Sequence, residues 1–507
     1  MLELLWLGLL NVVTDPMNIL MLFLAIVIGY IGGAIPGISG TMLVVILLPV
    51  TYTFEPAAAF ILLTGIYSIC SLSGAFGAIL LRTPGTPEAI FTTYDGYPMA
   101  QQGYAGRALG ITILTSVIGG LVGVFFLITL TPFLAEVALS FSSPEYFALA
   151  FMGLTVVASL SGKDVLKGLI GVLFGLMIAT IGMDALTGSL RYTFGMPVLT
   201  SGIHLIPVIT GLFAISEFIK KSTESHTLEN AIKVVKTKVF EKEIFKKISP
   251  TIAGSSLIGM FIGILPGVGA TTASMLAYSE TVRWSKDEEK ETFGKGNPKG
   301  IAASETANNV AAMGSLVPLL ALGIPGGATT AILIGAFILH GMQPGPMLFK
   351  TDPVLMYTIF AGLLVSNILM LFVSTPFIKL FEKIIRIPYS VLGPLIVVLC
   401  AIGTYTVRNS FFDIIVMVIF GVIGYLLERF KFPLATIILG VVLGPIAESQ
   451  FRRSVQMSDG DFTIFLTRPI SVTLIAVSIL MLFFPLVSDY FKKRKKKNNN
   501  TNINPTA

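Results

Sequence analysis

The sequence is poor in charge, cysteine and histidine. Only 12% of its 507 residues are Asp, Glu, Lys or Arg, about half the roughly 25% that is usual in soluble domains. Its two cysteines, Cys70 and Cys400, are each isolated in apolar surroundings, and its three histidines are scattered. Neither a disulfide framework nor a metal centre is therefore expected.

Motifs for ATP-driven or hydrolytic chemistry are also missing. The sequence has no GxxxxGK[ST] phosphate loop, so we expect no ATPase activity in this chain. It has no HExxH stretch and no paired-aspartate site, which argues against an intramembrane enzyme. Hydrophobic residues instead make up 54% of the chain, and the mean hydropathy is +0.85. These values predict an all-α polytopic membrane protein.

Long uncharged runs indicate the membrane spans. A helix needs about 20 mostly apolar residues to cross a bilayer. About eleven full spans are predicted, at residues 57–82, 108–131, 145–161, 165–182, 203–219, 301–323, 354–378, 388–406, 410–428, 433–449 and 470–489. The stretches 17–55 and 251–282 are harder to interpret, because each has a Pro-Gly pair at its centre.

The distribution of Lys and Arg predicts the orientation. The tail at 492–497 is entirely basic, whereas residues 1–16 contain no Lys or Arg. Because cytoplasmic loops carry the excess of positive charge, we expect a cell-membrane protein with its N-terminus outside and its C-terminus in the cytoplasm. Arg452 and Arg453 fall outside and oppose this assignment. Asp95 is interpreted as a cytoplasmic loop acid.

Two apolar segments are interrupted by nearly the same phrase, GAIPGISGT at 33–41 and GILPGVGATT at 263–272. Pro removes a helical donor, and Gly adopts backbone conformations that other residues avoid. In hydrocarbon, such a break persists only where protein or a watery cavity satisfies the freed groups. We therefore predict two re-entrant hairpins, at 17–55 and 251–282, that enter from opposite faces. Pairs of ordinary kinked spans are the alternative.

A second Pro-Gly break follows one span after each hairpin, at 83–87 and at 324–330. Four more spans follow each of these breaks. This order predicts an inverted-topology repeat, the architecture of many secondary transporters. The predicted organisation is a first repeat at 1–220, a cytoplasmic connector at 221–250, a second repeat at 251–450, an extra C-terminal span within 451–490, and a basic, Asn-rich cytoplasmic tail at 491–507.

Helices that restart after a break expose unpaired N–H groups and about half a positive charge. Two opposed half-helix ends near the middle of the membrane can hold a carboxylate without any Arg. Neighbouring hydroxyls add donors, and the freed carbonyls suit a small cation such as sodium. The predicted substrate-binding residues are Pro36, Gly37, Ser39, Thr41, Pro84, Gly85, Thr86, Pro266, Gly267, Gly269, Thr271, Thr272, Asn308, Asn309, Pro325, Gly326, Gly327 and Thr329, with Thr330 beside them.

The stretch SETANN at 304–309 is the most polar part of any predicted span. Asn amides offer donors to a carboxylate or oxygens to a cation. Interhelical hydrogen bonding is the structural alternative. The offset between the second breaks places the repeat equivalents of the two asparagines at Tyr67 and Ser68. Ser68, Ser304 and Glu305 are candidates for ion coupling, and a solvated position at the rim is the alternative for Glu305.

Several phrases together resemble the large membrane subunit of tripartite tricarboxylate transporters. They are IPGISGTM, ILPGVGATTASMLAYSE, DGYPMAQQG, SETANN and HGMQPGP, dispersed between about residues 29 and 450. The resemblance implies an ion-driven carboxylate importer that works with a small membrane subunit and an extracytoplasmic substrate-binding protein. It also implies that binding takes place at the two pairs of Pro-Gly breaks and at the SETANN stretch.

The expected function is therefore secondary active uptake of a small organic carboxylate, tricarboxylate-like, for example citrate. Sodium or protons are the expected coupling ions, and no other cofactor or metal is expected. Access to the site is expected to alternate by an elevator or a rocking motion. An anion-selective channel, with the breaks as its filter, is an alternative, and an intramembrane enzyme is a further one.

Overall fold

The structure is a computed structural model that describes residues 1–35, 38–160, 165–184, 186–223, 239–384 and 389–483. Regular structure within these residues is almost entirely α-helical. The exception is a short antiparallel pair, β1 (Gly182–Met183) and β2 (Leu190–Arg191). The described residues thus form an all-α membrane protein, as the composition predicts.

The helices of the N-terminal part of the chain begin and end as follows. They are α1 Leu2–Thr14, α2 Pro16–Ala34, α3 Gly40–Leu47, α4 Pro56–Leu81, α5 Ile90–Met99, α6 Ala105–Ala138, α7 Ser143–Leu160, α8 Val165–Ala179, α9 Leu205–Ile209 and α10 Ser216–Thr223. Short 3₁₀ turns lie at Pro49–Thr53, Pro87–Ala89 and Pro197–Leu199, and π-helical turns at Ala100–Tyr104 and Thr210–Ile215.

The remaining helices come after residue 241. They are α11 Lys242–Ile264, α12 Gly269–Trp284, α13 Asp287–Lys290, α14 Pro298–Gly314, α15 Leu316–Leu322, α16 Ala328–Leu339, α17 Leu348–Thr351, α18 Pro353–Ile384, α19 Tyr389–Arg408, α20 Phe411–Arg429, α21 Leu434–Met457 and α22 Ile464–Thr467, followed by α23 Pro469–Phe483. The last part of the predicted connector at 221–250 is helical, because α11 begins at Lys242. The basic tail lies outside the described residues.

Seven helical stretches among the described residues are long and apolar enough to cross a membrane. They are Pro16–Ala34, Pro56–Leu81, Pro87–Ala138, Lys242–Ile264, Pro353–Phe381, Phe411–Arg429 and Leu434–Met457. Six shorter apolar helices accompany them, among them Val165–Ala179 and Ala328–Leu339. The larger number of spans given above therefore stays a prediction.

The chain folds as two compact units. The first comprises residues 1–139 and 204–426, and the second comprises 140–203 and 427–507 so far as they are described. In the second unit, α8 packs closely on α21, because a Cβ on Gly440 would lie 2.9 Å from the Cα of Gly175. In the first unit, the 205–223 stretch packs on α20 in a similar way, at Gly424. Each unit thus combines helices that are distant from one another in the chain.

Within the first unit, the packing of α2 on α4 recurs in the packing of α11 on α14. Two glycines of one helix face two small or apolar residues of the other in each pair. A Cβ on the glycine would lie 2.7–3.6 Å from the facing Cα in four contacts: Gly29 with Ile66, Gly33 with Cys70, Gly259 with Ala307 and Gly263 with Ala311. The glycines recur after 230 residues and the facing residues after 241. Such close approach is typical of helix pairs in membranes.

The start of α14 is well specified, and this helix carries the polar SETANN stretch. Pro298 occupies the first helical position, where its missing N–H has no helical role. The side chain of Asn297 caps the helix, since its oxygen accepts a hydrogen bond from the Lys299 N–H at 2.9 Å.

Asp95 holds the turn that leads into α14. One oxygen of its carboxylate accepts hydrogen bonds from the backbone N–H groups of Gly294, Gly296 and Asn297, at 2.9, 3.0 and 2.7 Å. The other oxygen accepts the Tyr278 hydroxyl proton at 2.8 Å. Asp95 is completely buried within α5. Its interpretation as a cytoplasmic loop acid is therefore wrong, because four protein donors replace the water that a loop acid would need.

In the second unit, four charged side chains form one network beside the β1–β2 turn. Arg452 lies 2.7 Å from both Asp184 and Glu448, and Arg191 lies 2.7 Å from Glu448. The backbone N–H of Thr187 and the Arg452 guanidinium hold the pKa of Asp184 below its usual value. The charge of Arg452, which opposes the predicted orientation, is thus used in ion pairs within the protein.

The Asp95 contacts lead to a stability prediction. We expect Asp95→Ala to destabilise the protein by at least about 3 kcal/mol, because several buried donors lose their acceptor at once. Asp287→Ala is the control, since its side chain is 97% exposed on the same stretch of chain. Thermal melting of both purified variants in one detergent measures the difference. Equal melting temperatures would contradict the role given to Asp95.

Candidate functional site

The first predicted hairpin consists of α2 and α3. Ser39 caps α3, because its hydroxyl oxygen accepts a hydrogen bond from the Met42 N–H at 3.1 Å. The chain leaves α2 at Ile35 in an extended conformation. Two of the predicted binding residues, Pro36 and Gly37, lie outside the described residues. The described ends of α2 and α3 nevertheless locate the break.

The second predicted hairpin consists of α11 and α12, joined at Pro266 and Gly267. Gly267 and Gly269 have φ values of +78° and +75°, a region that residues with a Cβ rarely adopt. Because no atom of the described residues lies within 4 Å of a Cβ built on Gly269, the conformation rather than the space requires glycine there. The first turn of α12 has no side-chain cap. The Thr272 hydroxyl donates to the carbonyl of Val268, within that turn.

The second breaks of the two halves share one geometry. The helix before each break ends on a left-handed residue, Arg82 (φ +58°) after α4 and Gly323 (φ +72°) after α15. These two residues are separated by 241 positions, the same number that separates Pro84 from Pro325. Pro84 is half-buried and Pro325 is buried. The chain therefore reverses in the same way at both places.

Each of these breaks folds back onto the helix that precedes it. The Gly85 N–H donates to the Gly74 carbonyl at 2.9 Å. A Cβ on Gly326 would lie only 2.6 Å from the Cα of Ser315. Thr86, next to Gly85, is buried, and its hydroxyl oxygen faces the Glu88 carboxylate without another hydrogen-bond partner among the described residues. Neither glycine position has room for a side chain.

The breaks from different parts of the chain meet in the first unit. Three contacts join them: the Gly267 N–H donates to the Gly326 carbonyl at 2.9 Å, the Thr41 and Thr329 hydroxyl oxygens lie 2.7 Å apart, and a Cβ on Gly327 would lie 3.8 Å from the Cα of Gly269. Thr41 and Thr329 belong to the first turns of α3 and α16, and Gly269 begins α12. The N-termini of three helices thus lie together.

This arrangement has a definite electrostatic character. A helix N-terminus carries about half a positive charge, and its first N–H groups point outward. Gly327 has no side chain with which to cap α16, and Thr330 bonds back to the Gly327 N–H at 2.8 Å. The half-buried Thr271 adds a hydroxyl to the first turn of α12. The three N-termini together can hold an anion such as a carboxylate.

Glu305 on α14 is completely buried, so it does not occupy a solvated rim. Its carboxylate accepts hydrogen bonds from the hydroxyls of Thr92 on α5 and, at 2.8 Å, Ser116 on α6. The Thr92 and Ser304 hydroxyl oxygens lie 2.9 Å apart. No Lys, Arg or His of the described chain is paired with this carboxylate. The cluster therefore offers oxygen atoms only.

The two asparagines of α14 differ in their contacts. Asn308 donates through its amide nitrogen to the Ser71 carbonyl on α4 at 3.1 Å, and its buried amide oxygen has no partner among the described residues. Asn309 donates to the Glu305 carbonyl of its own helix at 2.9 Å. Asn308 therefore keeps an unused acceptor, whereas Asn309 is occupied within α14.

Ser68 has a partner that the sequence analysis missed. Asn367 on α18 donates to the Ser68 hydroxyl oxygen at 3.2 Å, and its own amide oxygen is buried without a partner. The sequence could have indicated Asn367, because the Ser366–Asn367 pair is a polar interruption of an otherwise apolar run at 354–378. The sequence analysis also missed Thr92 and Ser116.

Comparison with known proteins adds independent findings. A family model described as "Tripartite tricarboxylate transporter TctA family" matches residues 19–439. An uncharacterized 52.8 kDa protein in the TAR-I ttuC′ 3′ region of Agrobacterium vitis is 38% identical over 479 residues, which cover 94% of this chain and 95% of that protein. An uncharacterized protein in the TAR-II ttuC′ 3′ region is 39% identical over 236 residues, 46% of this chain and 97% of that one. No solved structure matches the chain.

The free amide oxygen of Asn308 leads to the first site prediction. We expect Asn308→Ala to lower carboxylate uptake at least about tenfold, the effect of losing a contact of about 1.4 kcal/mol. The Asn308–Ser71 hydrogen bond itself contributes only about 1 kcal/mol in a membrane, so the protein should still fold. Asn11→Ala, at an exposed position of α1, is the control. Uptake equal to that of the control would remove Asn308 from the site.

The close packing around Gly326 leads to the second site prediction. We expect Gly326→Leu to abolish uptake, because a side chain there displaces the backbone that contacts Gly267. Gly254→Leu is the matched control, since its only near neighbour is the Trp284 ring at 3.7 Å. Uptake by cells that express equal amounts of each variant measures the effect. Normal uptake by the Gly326 variant would show that the contact between these breaks is not needed.

Proposed function

Because this chain belongs to the tripartite tricarboxylate transporter TctA family, we propose that it is the large membrane subunit of a secondary active importer of small organic carboxylates, such as citrate. The family implies two partners, a substrate-binding protein and a small membrane subunit. In the proposed system the binding protein delivers the substrate from outside the cell. The chain places its N-terminus outside and its C-terminus in the cytoplasm.

The observation that carries the proposal is the meeting of the N-termini of α3, α12 and α16. Thr41 contacts Thr329, and Gly269 approaches Gly327. A carboxylate placed there receives N–H donors and partial positive charges without a Lys or Arg. Such a site binds an anion moderately rather than irreversibly, which suits a substrate that must be released. Of the predicted substrate-binding residues that the structure describes, several belong to the first turns of these helices or directly precede them: Ser39, Thr41, Gly269, Thr271, Thr272, Gly327 and Thr329. Asn308 and Asn309 lie on α14.

We further propose that the chain contains two repeats, at 1–220 and 251–450, with re-entrant hairpins that enter from opposite faces. The recurring contacts support this: Gly33 with Cys70 in one half, and Gly263 with Ala311 in the other. The shared geometry of the second breaks supports it as well. Helix pairs of this kind place a substrate site near the middle of the membrane in other inverted-repeat transporters.

Coupling to a cation is part of the proposal. Ser304 and Glu305, with Thr92 and Ser116, form a buried carboxylate and hydroxyl cluster that lacks a basic partner. A buried carboxylate without a cationic side chain requires a proton or a metal cation for charge balance. Sodium or a proton bound at this cluster would compensate the negative charge of the substrate. Movement of the hairpin-bearing core, as an elevator or a rocking motion, then exposes the loaded site to the cytoplasm.

Uptake into proteoliposomes that contain all three components tests the function. We expect labelled citrate or another carboxylate to accumulate above its external concentration when an inward sodium or proton gradient is imposed, and to leak out when the gradient is collapsed. A channel can only dissipate a solute gradient, so accumulation excludes it. Liposomes without the binding protein serve as the control. Equilibration without accumulation under every imposed gradient would contradict secondary active transport.

A further inference from the structure

A second acidic side chain lies beside the second break of the first half. Glu88 is in the 3₁₀ turn Pro87–Ala89, two residues after Thr86. This turn packs against α4, α12 and α14. Glu88 itself is only partly exposed. Glu88 therefore lies in a turn that packs beside α12, one of the three helices whose N-termini meet.

The repeated geometry shows what is unusual about Glu88. Glu88 precedes Thr329 by 241 residues, the separation that relates Gly85 to Gly326. Thr329 contacts Thr41, and the residue 230 positions after Thr41 is Thr271, in the first turn of α12. In the pair Thr41 and Thr329, two neutral hydroxyls lie in contact. In the corresponding pair by sequence offset, Thr271 and Glu88, a carboxylate replaces one of the hydroxyls.

The described groups that interact with Glu88 carry no positive charge. Among the described residues, no Lys, Arg or His is paired with Glu88. The ionisable groups that interact with its charge are Glu305 of α14 and Tyr67 and Cys70 of α4. The Thr86 hydroxyl faces the Glu88 carboxylate, and among the described residues this buried oxygen has no other hydrogen-bond partner. Glu88 and Thr86 thus present oxygen atoms to a region that lacks a cationic counterpart.

An anionic side chain beside an anion site raises a problem of charge. A carboxylate substrate at the N-terminus of α12 would be repelled by Glu88 unless a cation lay between them. Carboxylate, hydroxyl and main-chain carbonyl oxygens are the ligands that hard cations prefer. Broken helices in other transporters supply such carbonyls to sodium. The chain after α4 is likewise a broken helix, because Arg82 at its end is left-handed.

We propose that Glu88 is a ligand of a sodium ion that binds next to the substrate carboxylate, with the Thr86 and Thr271 hydroxyl oxygens beside it. This inference rests on the proposed function, because it adds a second coupling residue to the cluster around Glu305. The sodium ion neutralises Glu88 and attracts the substrate, so each ligand strengthens the binding of the other.

Direct binding of radioactive sodium to the purified full chain tests the site. We expect Glu88→Gln to bind sodium at least about tenfold more weakly than the native protein, and to need a correspondingly higher sodium concentration for half-maximal uptake with both partners present. Glu55→Gln makes the same chemical change at the exposed N-cap position of α4, where the side chain makes no capping hydrogen bond, so it should behave as the native protein. Melting temperatures of the variants confirm that each is folded.

The possible results distinguish a failure of the proposed sodium site from a failure of the proposed transport function. Unchanged sodium binding by the Glu88 variant would overturn the proposal, and so would a native protein whose uptake follows a proton gradient and that binds no sodium. Carboxylate exchange across liposomes without any ion gradient tests the function alone. Loss of sodium binding in the Glu88 variant supports the site even where no carboxylate is exchanged.

Discussion

The structure depends on one constraint: main-chain groups that are freed at a helix break inside a membrane need partners. The chain meets this constraint by packing breaks against one another. The Gly267 N–H bonds to the Gly326 carbonyl, and the Gly85 N–H bonds to the Gly74 carbonyl of α4. Carbonyl acceptors are thus found within the protein, whereas the first N–H groups of α12 have no side-chain cap. The packing of the breaks against one another therefore leaves backbone N–H donors of α12 available for a ligand.

Close packing by small residues supports these breaks. Alanines of α12 and α14 form one buried cluster, made of Ala270, Ala273, Ala277, Ala303, Ala307 and Ala311. Gly259 and Gly263 place α11 directly against the same face of α14. In a membrane, where water does not drive helices together, such close contacts provide much of the association. The polar side of α14, with Glu305 and Asn308, is thereby held towards α4, α5 and α6.

The sequence predicts the parts of this arrangement that are local. Pro-Gly pairs indicate helix breaks through their backbone chemistry, and SETANN indicates a polar face through its composition. The same patterns could not show that Asp95 is buried, because its four donors come from residues near 278 and 294–297. They could not show the partners of Glu305 either, since Thr92 and Ser116 lie on other helices. The two compact units were equally inaccessible, because helices distant in the chain pack together in each.

The central claim is that a carboxylate binds where the N-termini of α3, α12 and α16 meet. A cryo-electron microscopy map of the complete transporter with a transported carboxylate tests it most directly. The account predicts ligand density in contact with Thr41, Gly269 and Thr329, between two hairpins whose tips end inside the bilayer. Ligand density elsewhere, or α11 and α12 crossing the bilayer as one continuous helix, would contradict it.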